Sequence, residues 1–136
     1  MYVANFPTPT QRVIEYEKLG YGMFLHYGLY SEIGRGEWVY HMEKHDMKEY
    51  EKLADKFTAK DFDAEKIVLA AKAVGCKYVN LTTRHHDGFA LFHSKVDKYN
   101  VVDATPYKRD IIESLVIVLV VIIVFYIIIS YITFIN

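Results

Sequence analysis

Three histidines stand where the chain leaves two predicted strands. His26 follows the short apolar segment 21–25, and His85 and His86 follow the strand predicted over 77–83. A neutral imidazole both donates and accepts hydrogen bonds, which suits the hydroxyl groups of a sugar or another polyol. The carboxyl ends of neighbouring parallel strands open on a common pocket, so these three histidines in these places predict a polyol-binding site.

Three further side chains could belong to this pocket. Glu37 and Trp38 lie at the end of the glycine-rich segment 28–38, and Asp87 follows the double histidine. The indole of Trp38 could pack on the apolar face of a sugar ring, because an aromatic ring is both large and partly polar.

Metal chemistry fits these histidines less well. His85 and His86 are consecutive, and in extended backbone such side chains point to opposite sides. His41 and His45 are spaced as in a zinc-protease helix, but Met42 stands where that motif needs glutamate. The sequence predicts no metal site.

Cofactor and nucleophile motifs are also missing. The glycines fit neither the phosphate-binding loop nor the dinucleotide fingerprint, and there is no Gly-x-Ser-x-Gly segment for an acyl-transfer serine. Cys76 follows a predicted helix end and precedes a strand, which is typical of a buried structural thiol. No cofactor is predicted.

The elements that must position the histidines are predicted to form a βαβ unit. Helices are predicted over 12–20, 46–57 and 63–74, with strands at 21–25 and 77–83 and a loop at 28–38. Asp63 can cap the third helix and Gly75 fits the position after its end. Strand, helix and strand with a short final connection indicate an α/β fold with a parallel sheet.

Composition limits the classes of protein. The chain has 136 residues, one cysteine and a formal net charge of −1. That length gives one domain and is too short for a complete (β/α)₈ barrel, and the charge gives no case for a nucleic-acid partner. Residues 1–10 lack a basic region followed by an apolar one, so no cleavable signal peptide is predicted and the localisation stays open.

The charged residues divide the chain in two. All lysine, arginine, aspartate and glutamate residues lie between Arg12 and Glu113, and 114–136 carries none. Within it, Leu115 to Ile135 is long enough as a helix to span a membrane, with the basic residues on its N-terminal side. A truncated or frame-shifted reading is the other interpretation, because thirteen of these 21 residues are isoleucine or valine.

At the same residues the chain resembles the α-L-fucosidases of glycoside hydrolase family 29. The matching segments cover about residues 15 to 113: YGMFLHYGLYS (21–31), GEW (36–38), EYEKLADKFTAKDFDAEK (49–66), AKAVGCKYVNLTTRHHDGFALFHSK (71–95) and YNVVDATPYKRDI (99–111). The block around the double histidine is highly specific to that family.

The resemblance implies the N-terminal fragment of a (β/α)₈ TIM-like catalytic barrel over 1–113, followed by a hydrophobic helix-like tail over 114–136. It implies that His26, Glu37, Trp38, His85 and His86 bind the fucosyl group of a fucosylated glycan, without a metal. It favours the truncated or frame-shifted interpretation of the tail.

The resemblance also implies a retaining hydrolysis of terminal α-L-fucosyl linkages by an aspartate nucleophile and a second, acid/base carboxyl group. Both lie on later strands in the family, so no catalytic residue is assigned in this chain, and the isolated chain is expected to be inactive. The alternatives are a membrane-tethered, non-catalytic fucose-binding module, with membrane contact through Leu115 to Ile135, and a zinc-dependent hydrolase.

Overall fold

The computed structural model describes the backbone of residues 7–135 and the side chains of residues 7–124. The helices are α1 (Gln11–Leu19), α2 (Tyr30–Ile33), α3 (Val39–Met42), α4 (Met47–Glu51), α5 (Ala64–Ala73), α6 (Val101–Ala104) and α7 (Ile111–Ile135), with a 3₁₀ helix at Lys52–Lys56. The strands are β1 (Met23–Leu25) and β2 (Val79–Leu81).

The two strands form a parallel pair in which Leu25 lies opposite Leu81. The chain between them contains α5, so the predicted βαβ unit and parallel sheet are confirmed. Leu25 and Leu81 face α5 and α7, because they share a cavity wall with Ile67 and Leu115 of those helices. Phe24 and its partner Asn80 are exposed on the opposite face.

Helix α5 begins and ends as its sequence predicts. The Asp63 carboxylate accepts a hydrogen bond from the Lys66 N–H at 3.0 Å, which caps the first turn. Gly75 has φ +81° directly after the last turn, a conformation that only glycine adopts without strain. Val68 and Ala71 are buried on the face towards the sheet and α7.

The main core lies beyond the carboxyl ends of the strands. Its fully buried members come from loops, short helices and the first residue of α7, and neither strand contributes a buried residue. They include Leu29, Tyr50, Phe57, Phe89, Leu91, Val101 and Ile111. A second contact joins α5 to α7 on the outer side of the sheet.

The segment 28–38 is not the plain loop that its glycines suggest. It contains α2, whose Tyr30 is buried, and Gly34 ends that helix with φ +72°. Trp38 directly precedes α3, and Val39 is buried at the first turn of that helix. Glu37 and Trp38 therefore lie in the connection between α2 and α3.

Helix α7 includes most of the hydrophobic tail. Its N-terminal Ile111 and Leu115 are buried, whereas Val116, Val120 and Val121 are about half exposed. Among the residues whose side chains are described, no helix is long and apolar enough to cross a membrane, so the membrane-spanning interpretation gains no support. The rest of the predicted span, 125–135, lies outside those residues, and the division at residue 114 stays a prediction.

Candidate functional site

His26 lies one residue beyond β1, at the carboxyl end of the sheet. Its imidazole is exposed and lies 4.7 Å from the ring of Phe24 and 5.4 Å from that of His85, measured between centroids. The parallel register brings this about, because Leu25 pairs with Leu81 and both chains leave the sheet at the same edge. The sequence prediction that His26 and His85 meet there is confirmed.

The double histidine sits in a tight turn. The Gly88 N–H donates to the His85 carbonyl oxygen at 3.0 Å, and Gly88 has φ +77°. The Arg84 Nε–H donates to the Gly88 carbonyl at 2.7 Å and closes the turn from outside. The His85 and His86 rings therefore contact each other edge to face at 4.6 Å. The expectation that they point to opposite sides is wrong, because it assumed extended backbone.

Trp38 joins the two histidines from a different segment. Its indole is 4.0 Å from the His86 ring and 5.7 Å from the His85 ring, and 48% of the residue is exposed. Burial of the next residue, Val39, anchors the start of α3 in the core and so fixes the position of the indole. A half-exposed indole against two imidazoles is a surface on which a sugar ring could stack.

Glu37 is half-buried beside this group. Burial first, and then the charges of Asp87 and Glu37, raise the pKa of Tyr30 above its ordinary value of 10. The Glu37 carboxylate is therefore within electrostatic reach of the residues beneath the histidines. The five predicted site residues, from three separate segments, lie in one region of the molecule.

Asp87 belongs to the support of the site and does not face the pocket. Only 3% of it is exposed, and its carboxylate accepts hydrogen bonds from the Tyr50 hydroxyl at 3.0 Å and the Phe89 N–H at 3.1 Å. Burial and this carboxylate raise the pKa of Tyr50 above its ordinary value, so Tyr50 remains a donor. A buried charge with these two donors fixes the turn that carries the histidines.

The surroundings of His85 favour its neutral form. Burial lowers its pKa below the ordinary 6.5, and the imidazoles of His86 and His26 lower it further, against a smaller opposing effect of Asp87 and Glu37. Its Nδ1 is buried and, like the Tyr30 hydroxyl, has no hydrogen-bond partner within the described part of the chain. A neutral ring can still donate from one nitrogen and accept at the other.

Two residues near this site were not predicted as part of it. His41, on α3, has its ring 5.6 Å from that of His86 and 6.3 Å from Trp38. Tyr30 packs its ring edge to face on His85 at 5.5 Å. The spacing of three residues between Trp38 and His41 could have indicated His41, because such residues share a helix face.

Within the described residues, the surroundings of the site include an adjoining cavity but no cluster of metal-binding side chains. Within residues 7–124, no group of three or more histidine, cysteine, aspartate or glutamate side chains is arranged to hold a metal ion. A cavity of about 360 Å³ adjoins His26, but its walls are mainly apolar and do not include Trp38, His85 or His86. Its lining by Leu25, Leu81, Ile67 and Leu115 makes it a gap between the sheet and the helices.

This chain is similar in sequence to alpha-L-fucosidases. The sequence model described as alpha-L-fucosidase matches residues 8–119. Plasma alpha-L-fucosidase of Homo sapiens is 33% identical over 117 residues, which cover 74% of this chain and 25% of that protein. Tissue alpha-L-fucosidase of Bos taurus is 30% identical over 133 residues, covering 84% of this chain and 28% of that protein.

Solved structures agree with the sequence relatives. An alpha-L-fucosidase from Lactobacillus casei in complex with its alpha-L-fucose product is 46% identical with a TM-score of 0.71, covering 78% of this chain and 36% of that chain. An alpha-L-fucosidase from Bacteroides thetaiotaomicron is 37% identical with a TM-score of 0.74. The matched region covers 82% of this chain and 27% of that chain.

The similarity concerns one part of those enzymes. The chain spans about a quarter of the length of the curated relatives it matches and about a third of the Lactobacillus casei structure. Within that part the match includes β1, β2 and every residue of the histidine and tryptophan group. By its sequence and its α/β fold, this chain belongs to the α-L-fucosidase family.

Proposed function

We propose that this chain binds the terminal α-L-fucosyl group of a fucosylated glycan, as the sugar-binding part of a retaining α-L-fucosidase. The observation that carries the proposal is a row of ring contacts at one end of a parallel sheet: His26 contacts His85, His85 contacts His86, and both His85 and His86 contact the half-exposed Trp38. In this proposal β1 and β2 are the first two strands of a (β/α)₈-like barrel, with α5 and α7 on its outer side.

The chemistry of fucose matches this group of side chains. Fucose is uncharged, with several hydroxyl groups and a methyl group, so it needs neutral donors and acceptors beside an apolar surface. The lowered pKa of His85 keeps its ring neutral at pH 7, and Trp38 supplies the apolar surface. Structures of one similar enzyme, an alpha-L-fucosidase from Lactobacillus casei, contain alpha-L-fucose, and structures of a variant of it contain Fuca(1,6)GlcNAc or 4-nitrophenyl-a-L-fucopyranoside.

The side chains of this site support binding of a sugar but not its hydrolysis. A retaining glycosidase needs two carboxyl groups about 5 Å apart, one as nucleophile and one as acid/base. Asp87 is buried and hydrogen-bonded to Tyr50 and Phe89, so it cannot approach a sugar. Glu37 is then the one carboxylate of the described site that can face the ligand. We therefore propose that the isolated chain does not hydrolyse fucosides.

Binding is tested by titrating the purified chain with methyl α-L-fucoside, followed by calorimetry or by ligand-observed NMR. Saturable binding is expected, and His86→Ala should weaken it about ten-fold or more, because it removes a polar contact and a ring against Trp38. His93→Ala is the matched control, since His93 is exposed and outside the site. No binding by the unaltered chain would contradict the proposal.

Turnover is tested separately with 4-nitrophenyl α-L-fucoside. No release of 4-nitrophenol above the buffer rate is expected from the isolated chain. Steady release that disappears in Glu37→Gln would show that the chain catalyses hydrolysis and would overturn this part of the proposal alone.

A further inference from the structure

Four of the six histidines lie in a chain of ring contacts. The centroid separations are 5.4 Å from His26 to His85, 4.6 Å from His85 to His86 and 5.6 Å from His86 to His41. Within residues 7–124, His26 makes no ring contact with Trp38 or His41, whereas His41 contacts both Trp38 and His86. His26 and His41 therefore stand at the two ends of this row of contacts.

The imidazole of His41 is available to a ligand. It is exposed, and no described side chain hydrogen-bonds to it. The two histidines outside the group differ in this respect, because each faces a carboxylate. His45 Nε2 is 3.1 Å from Glu43 Oε2, and His93 Nε2 is 3.6 Å from Asp103 Oδ2.

The position of His41 relative to Trp38 is fixed by the backbone. The His41 N–H donates to the Trp38 carbonyl oxygen at 3.0 Å, within the short helix α3. Val39, between them, is 2% exposed and anchors that helix in the core. The backbone between the two side chains is therefore ordered before a ligand binds, which lowers the entropic cost of contacting both.

We infer that His41 is a specificity-determining residue that contacts the second sugar, the one to which the fucosyl group is attached. This inference rests on the proposed function, which places the fucosyl group between His26, His85, His86 and Trp38. His41 then lies one ring beyond the fucosyl group, where the chain of contacts ends in an exposed, unpaired imidazole. Such a ring can donate to or accept from a hydroxyl or acetamido group of a neutral sugar.

The test compares one sugar with two. Methyl α-L-fucoside and α-L-fucosyl-(1→6)-N-acetylglucosamine are titrated into the full chain, into His41→Ala and into His41→Phe, with calorimetry or NMR shifts as the measurement. The disaccharide is expected to bind the unaltered chain more tightly. In both variants the ratio of disaccharide to monosaccharide affinity should fall about five-fold, because each lacks one hydrogen bond to the second sugar.

The controls separate this inference from the proposed function. His93→Ala should leave the ratio unchanged, and His41→Phe retains an aromatic ring at the end of α3, so a loss in both His41 variants points to the ring nitrogens. Equal loss for both ligands, or an unchanged ratio, would overturn the inference while fucose binding stands. No binding of methyl α-L-fucoside by the unaltered chain would overturn the proposed function, and the inference with it.

Discussion

The layer beyond the strand ends and the sheet itself are packed to very different degrees. In the first, Leu29, Phe57 and Val101 are fully buried, and Asn100 is buried with its side chain hydrogen-bonded to the first turn of α6. In the sheet, every strand residue is at least partly exposed, and Phe24 is 63% exposed.

This difference shows what holds the histidines in place. Asp87, directly after the double histidine, is bonded to Tyr50 of the packed layer, and Trp38 is anchored by the buried Val39. The exposed face of the sheet, which carries Phe24 and Asn80, contributes one ring contact, between Phe24 and His26. Substitutions in the packed layer should therefore destabilise the site strongly, and substitutions on the exposed face of the sheet should affect it weakly.

The largest expected effect comes from two phenylalanines in contrasting places. Phe57→Ala removes a side chain with no exposed surface and should lower the free energy of unfolding by about 3–5 kcal/mol. Phe24→Ala, on the sheet face, should change it by about 0.5 kcal/mol or less. Urea unfolding followed by circular dichroism measures both. Similar losses of unfolding free energy in the two variants would contradict the difference in packing between the buried layer and the sheet face.

A smaller effect is expected at the buried carboxylate. Tyr50→Phe removes the hydroxyl that donates to Asp87 and should cost about 2 kcal/mol, because a buried charge loses one of its donors. Tyr21→Phe is the matched control, since Tyr21 is 61% exposed. The same urea experiment applies, and no loss in Tyr50→Phe would mean that the backbone alone holds the turn.

The turn itself can be tested through its glycine. Gly88→Ala should cost about 1 kcal/mol, because φ +77° strains a residue with a Cβ although the added carbon meets nothing closer than 3.8 Å. Gly88→Asn should cost less, since asparagine tolerates this conformation better. Equal losses of thermal stability in the two variants would contradict backbone strain as the cause.

The smallest expected effect is on protonation. His85 should titrate below 6.5 in an NMR experiment on its ring protons, because burial and then His86 and His26 lower its pKa. Just below pH 6.5 the unfolded chain then binds more protons than the folded one, so the contribution of His85 to stability falls as the pH falls towards its folded pKa. His86→Gln should raise the pKa of His85, because it removes one of the imidazoles that lower it. An unchanged pKa of His85 in this variant would contradict that contribution of His86.

The parts predicted well from sequence are those with a clear pattern. The helix over 63–74 has an apolar stripe, a capping Asp63 and a terminal Gly75, and α5 follows it within a residue or two. The parallel order of the strands then places His26 and His85 at one edge. These predictions needed only local spacing and the rules for parallel sheets.

Other parts depend on tertiary packing that no pattern shows. The core is built from irregular segments around Leu29, Phe89 and Leu91, which have no helical or strand period. The contact between the His85 and His86 rings follows from a turn, which the pair of histidines alone does not indicate. The sequence singles out His41 only as a possible zinc ligand, because its spacing from Trp38 is informative only within α3, and a helix of four residues is too short to predict.

The intrinsic fluorescence of Trp38 reports on the candidate site. It is the single tryptophan of the chain, it is half exposed, and its ring lies 4.0 Å from that of His86. Indole emission responds to the polarity around it and is quenched by a protonated imidazole at close range. All the ultraviolet-excited tryptophan fluorescence of this protein therefore originates at the candidate site, so an unlabelled sample can report the arrival of a ligand or a proton there.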